Sequence, residues 1–216
     1  MTTGDRRSAP GSMLSYAWDL PNRYSIVGLV CAVAGIYFAI LGVFAAAMIG
    51  LVWAVAFDWL DGHVARGIPG RSAEQREFGA QLDSLIDIVS FGVAPAVLLL
   101  AVGEFGVLYL PGAAAVVAVA AIRLSYFNVF GLAGGSNYRG LALDNNMIVL
   151  VALFAFQSLL SPVMFAVILY ATLMGLGILN LSSIKTPKPG GRWIIGVLAY
   201  AVVMSAVFGW QLIAVV

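Results

Sequence analysis

The sequence predicts an all-α integral membrane protein, a polytopic bundle of about seven (six to eight) transmembrane helices with an interfacial helix at its N-terminus. Three observations predict it. Of the 216 residues, 62% are hydrophobic and only 10% charged, and the mean hydropathy is +1.01, far outside the range of ordinary soluble domains. Apolar stretches long enough to cross a hydrocarbon layer of ~30 Å as helices, which takes about 20 residues, recur along the chain. No alternation of period two competes with them, and a segment that spans lipid must satisfy its backbone polar groups internally, which leaves a helical bundle.

Residues 1–11 are polar and lack the apolar core of a signal peptide, so a short uncleaved tail is expected ahead of a single transmembrane domain at 12–216. Residues 12–23, SMLSYAWDLPNR, place Tyr16 and Trp18 before the first span, with Pro21 and Asn22 as the turn into it. Aromatic rings favour the headgroup layer, which reads as an interfacial helix, an irregular linker being the alternative. Spans are expected at 24–40, 41–62, 79–103, 107–130, 146–160, 162–181 and 193–214. The fifth and sixth are divided only by the stretch from Ser158 to Pro162.

Charge placement checks this topology. Lysine and arginine near span ends bias a loop toward the cytoplasm. Arg6, Arg7 and Arg23 precede the first span; Arg66, Arg71 and Arg76 follow the second; Arg139 follows the fourth; Lys185, Lys188 and Arg192 follow the sixth. With the N-terminus inside, a seven-span arrangement puts all of these on one cytoplasmic face of the cell membrane. The opposite face offers only Glu104, and Arg123 alone sits inside a span. The net charge of +1 gives no case for nucleic acid, and the single Cys31 cannot form an intrachain disulfide.

Four carboxylates do not belong in such a chain. Asp58, Asp61, Asp83 and Asp87 lie within or at the ends of apolar segments, where an isolated charge costs several kcal/mol. Spacings of three and four residues put each pair on one helix face, and the short connection between them makes the two helices antiparallel neighbours, so that all four converge. Four such groups need cations. Arg66 and Arg76 are one source; one or two divalent metals are the other, and the all-oxygen donor set suits Mg²⁺, Mn²⁺ or Ca²⁺ rather than zinc, with Mg²⁺ or Mn²⁺ expected. Gly62, Ala65 and Gly79 open space beside the carboxylates or, on the plainer reading, let helices pack closely.

The string DWLDGHVARGIPGRSAEQREFGAQLDSLID at 58–87 resembles the signature of CDP-alcohol phosphotransferases, through Asp58, Asp61, Gly62, Ala65, Arg66, Gly79, Asp83 and Asp87. The resemblance extends over residues 12 to about 180. It implies transfer of a substituted phosphate from a CDP-linked donor to an alcohol, with release of CMP, at a site bridging two divalent cations. It further implies that Asp58, Asp61, Asp83 and Asp87 are metal ligands, with Asp87 also the general base, and that Gly62, Ala65, Arg66 and Gly79 surround the CDP moiety. Family members are generally homodimers embedded among membrane lipids, so a homodimer is expected.

Subfamily features diverge. The segments DSLIDIVSFGVAPA at 83–96, IRLSYFNVFG at 122–131 and YRGLALDNN at 138–146 are similar to phosphatidylserine synthases, which implies CDP-diacylglycerol as donor and L-serine as the small polar alcohol. The spacer Gly67–Phe78, longer than the family's usual one, is similar to bacterial phosphatidylcholine synthases, which implies choline. Inositol phosphate and glycerol phosphate are further acceptors. Arg123, Asn128 and Arg139 are candidates to bind the acceptor or a phosphate, within a cluster that also holds Tyr138, Asp144, Asn145 and Asn146. A small cation or proton transporter is the competing class, since intramembrane carboxylates also mark ion pathways.

Overall fold

The computed structural model describes residues 12–131, 137–187 and 191–214. The polar tail at 1–11, Lys188 and the side chains of Tyr138 and Arg192 lie outside what is described. The chain forms α1 (Met13–Ala17), α2 (Leu20–Ile40), α3 (Phe44–Gly67), α4 (Ala73–Asp87), α5 (Ala94–Val102), α6 (Leu110–Phe130), α7 (Leu143–Ala155), α8 (Pro162–Leu181) and α9 (Arg192–Ala214). A π-helical turn, Ile88–Val93, joins α4 to α5 without a break, so Ala73–Val102 is one 30-residue rod. Strands β1 (Asn137–Arg139) and β2 (Lys185–Pro187) pair antiparallel.

All seven expected spans are helices, and six are long and apolar enough to cross a membrane. The protein is a multi-pass membrane protein. The fifth differs from expectation: α7 has 13 residues, about 20 Å at 1.5 Å per residue, because the chain leaves the helix at Phe156 for a 3₁₀ turn, Gln157–Leu159. The third begins at Ala73 rather than 79. Ser72 accepts from the Gln75 N–H and the Gln75 side chain accepts from the Ser72 N–H, a capping box that starts the helix in polar sequence which hydropathy alone passes over. The N-terminal helix is shorter than expected, five residues long, and Pro21 and Asn22 lie inside the first turn of α2 instead of forming a turn before it.

α3 is the centre of the bundle and packs on α2, α7 and α9. Its approach to α2 rests on small residues: a Cβ placed on Gly50 would stand 2.7 Å from the Cys31 carbonyl oxygen and 2.9 Å from the Gly35 nitrogen. Backbones in direct contact gain dispersion that lipid chains cannot replace. Met48, Leu51, Val52 and Val55 of α3 are fully buried among Phe154, Phe165 and Phe208. Polar links fix neighbours: Trp53 donates to Ser205 at 3.0 Å, and Tyr200 to the Ile148 carbonyl at 2.8 Å.

One end of the bundle gathers the basic loops. Arg71 pairs with Asp19 at 2.6 Å, tying the α3–α4 connection to the N-terminus of α2. The ribbon sets Arg139 opposite Lys185, and Ser84 donates to Asn128 at 3.0 Å, joining α4 to the end of α6.

Candidate active site

Asp58 and Asp61 stand near the end of α3, Asp83 and Asp87 near the end of α4. Both helices pack chiefly on α2 rather than on one another, which leaves room between them for side chains. Asp58, Asp83 and Asp87 each bring a carboxylate oxygen within 4.8 Å of the others, a group able to hold a metal ion. Asp61 falls outside this trio and is buried, accepting a hydrogen bond from Ser25 of α2. Oδ1 of Asp87 is buried and has no hydrogen-bond partner among the described residues. An unpartnered buried carboxylate oxygen is costly, and a cation satisfies it.

These groups line a cavity of about 260 Å³, with Trp59, Gly62, Arg66, Arg123, Asp144 and the apolar side chains of Leu124, Phe127 and Ile194 on its walls. Five carboxylates face two guanidiniums there, an excess of negative charge that suits divalent cations with oxygen ligands. Gly62 leaves space beside Arg66, whose Nη1 would lie 3.4 Å from a Cβ at that position.

Of the residues singled out in the sequence, the four aspartates, Gly62, Arg66, Arg123 and, from the cluster after the fourth span, Asp144 share the cavity wall. Other candidates lie off it. Ala65 is half-buried on α3. Gly79 gives close passage to α2, since a Cβ there would stand 2.9 Å from Asn22 Oδ1. Asn128 accepts from Ser84, and Arg139, exposed, donates to the Tyr126 hydroxyl at 2.8 Å.

The Arg123 side chain is buried, and its Nε donates to the Leu141 carbonyl. Asn180 donates to the same carbonyl at 3.0 Å and exchanges hydrogen bonds of 2.7 and 3.1 Å with Asn146. Gly140 lies directly against the Asn180 carbonyl at φ +75, where no side chain fits. This buried polar lattice fixes the start of α7 and therefore Asp144, which takes a 2.6 Å hydrogen bond from Trp59 of α3.

A family model for CDP-alcohol phosphatidyltransferases matches residues 18–174. The chain belongs to this family. As a CDP-alcohol phosphatidyltransferase it is an enzyme that moves a phosphatidyl group from a CDP-linked donor to an alcohol acceptor, and the transporter reading is set aside. The match runs from the start of α2 into α8 and includes every aspartate of the cavity; α9, which lends Ile194 to the wall, lies beyond it. Archaetidylserine synthase of Methanothermobacter thermautotrophicus is 34% identical over 173 residues, 80% of this chain and 71% of that one. CDP-diacylglycerol–serine O-phosphatidyltransferase of Methanocaldococcus jannaschii is 36% identical over 153 residues, covering 71% and 69%. The protein of that name from Helicobacter pylori is 35% identical over 111 residues, covering 50% and 45%.

Proposed function

We propose that the enzyme transfers the phosphatidyl group of CDP-diacylglycerol to the hydroxyl of L-serine, giving phosphatidylserine and CMP. The observation that carries serine is an agreement between relatives. Two proteins matched over more than two thirds of their length are named for different lipids, archaetidyl and diacylglycerol, yet both names contain serine. The longer spacer does not argue for choline, because Ser72–Phe78 forms the cap and first turns of α4 and no residue from 67 to 78 lines the cavity.

In this reading Asp58, Asp83 and Asp87 would hold one divalent ion and Asp61, steadied by Ser25, would contribute to a second, Mg²⁺ or Mn²⁺ in either place. When bound, the metal neutralises the diphosphate and stabilises charge on the departing CMP. Asp87 takes the proton of the serine hydroxyl. The hydroxyl oxygen then bonds to the phosphorus that carries diacylglycerol, the P–O bond to CMP breaks, and CMP leaves with the electron pair. Gly62 and Arg66 face the CDP moiety, with Ala65 and Gly79 supporting that side of the helices. Asn128 and Arg139 serve the approach of the acceptor from outside the cavity. The concentration of basic side chains at the same end supports a cytoplasmic active site.

Purified protein supplied with Mn²⁺ or Mg²⁺, CDP-diacylglycerol and a panel of alcohols is expected to release CMP with L-serine. Release with choline, inositol phosphate or glycerol phosphate, and none with serine, sinks the assignment.

A further inference from the structure

The cavity holds a fifth carboxylate that the phosphoryl-transfer chemistry leaves unused. Asp144 lies in the first turn of α7, where the helix dipole favours a negative charge, and it is not among the three carboxylates grouped for metal binding. Its two oxygens receive neutral donors: Trp59 Nε1 at 2.6 Å and Asn145 Nδ2 at 3.3 Å. Neither of these side-chain donors carries a charge, and a cationic group makes a stronger hydrogen bond to a carboxylate than a neutral donor does. Arg123 lines the same cavity and is close enough to attract Asp144 electrostatically.

The geometry points to Asp144 and Arg123 as a two-ended clamp for a zwitterionic amino-acid acceptor, Asp144 receiving its ammonium and Arg123 its carboxylate. This inference rests on the serine reading and adds the residues that enforce it. The distance between the two charges is set by one backbone group. The Leu141 carbonyl takes Arg123 Nε on one side and, through Asn180 and Asn146, anchors the start of α7 on the other. Electrostatics also fixes the orientation. Arg123, the buried guanidinium of the cavity wall, attracts the acceptor carboxylate, and Asp144 attracts the ammonium. An acceptor with one charge engages one end only and forgoes the attraction of the other, which separates it from a zwitterion.

Three acceptors with the same primary hydroxyl separate the ends: L-serine, ethanolamine and 3-hydroxypropanoate. Asp144→Asn, nearly isosteric, is expected to raise the KM for L-serine roughly 10- to 100-fold, as loss of one charged hydrogen bond does. It narrows the preference for serine over 3-hydroxypropanoate while the Mn²⁺ concentration for half-maximal rate stays as in the wild type. Arg123→Gln narrows instead the preference for serine over ethanolamine. A serine KM for Asp144→Asn within twofold of wild type overturns the clamp, as does a rise in the Mn²⁺ requirement that parallels the loss, which makes Asp144 a metal ligand. Wild-type enzyme that uses choline and not serine overturns the serine assignment and the clamp together. Wild-type turnover of serine with an unaffected Asp144→Asn variant overturns the clamp alone.

Discussion

Asp87 keeps a buried oxygen without a hydrogen-bond partner among the described residues, which leaves a lone pair for a cation or a proton. Asp87→Asn keeps the shape and removes the basicity. It is expected to lower CMP release by about 10²- to 10⁴-fold, the usual weight of a general base, with a melting temperature in detergent close to wild type; retained activity in a folded variant removes Asp87 from that role. At this scale the four aspartates were legible because their cost in an apolar chain and their spacing are local facts. Their supports were not. Trp59 meets Asp144 across 85 positions and Ser25 meets Asp61 across 36, and no local pattern marks a tryptophan or serine as the partner of a distant acid. Asp144 was visible only as one of several polar residues after the fourth span.

Among the elements, α2 and α3 carry the strictest fit. Gly50 has backbone rather than flexible side chain opposite its Cα, so Gly50→Val must part the two helices. The expected cost is about 1–3 kcal/mol, read as a lower melting temperature in detergent. Because Asp58 and Asp61 ride on α3, the variant should also need more Mn²⁺ for half-maximal activity; wild-type stability in Gly50→Val would show that the contact is not tight. Hydropathy located the long helices well because lipid demands length and apolarity together. It placed the start of α4 six residues late, since a capping box works through polar side chains. It also made the fifth span too long, because apolar residues continue past the point where Phe156 leaves the helix.

For the molecule as a whole, the ion pair of Arg71 with Asp19 and the pairing of β1 with β2 draw the basic segments to the end that holds the cavity. In a Cys31→Ser background, single cysteines at Glu77 and Glu104 should react from opposite sides of sealed cells. An impermeant maleimide is expected to label position 104 directly and position 77 only after permeabilisation; the reverse pattern inverts the orientation. The π turn after Asp87 acts over the same length. One additional residue in a turn rotates the helix beyond it by about 100°. The buried Ala94, Leu98 and Leu99 beyond the turn are therefore out of phase with Asp83 and Asp87 before it. One shaft thus carries two cams, so the apolar end can change its packing face without turning Asp83 and Asp87 away from the cavity they line.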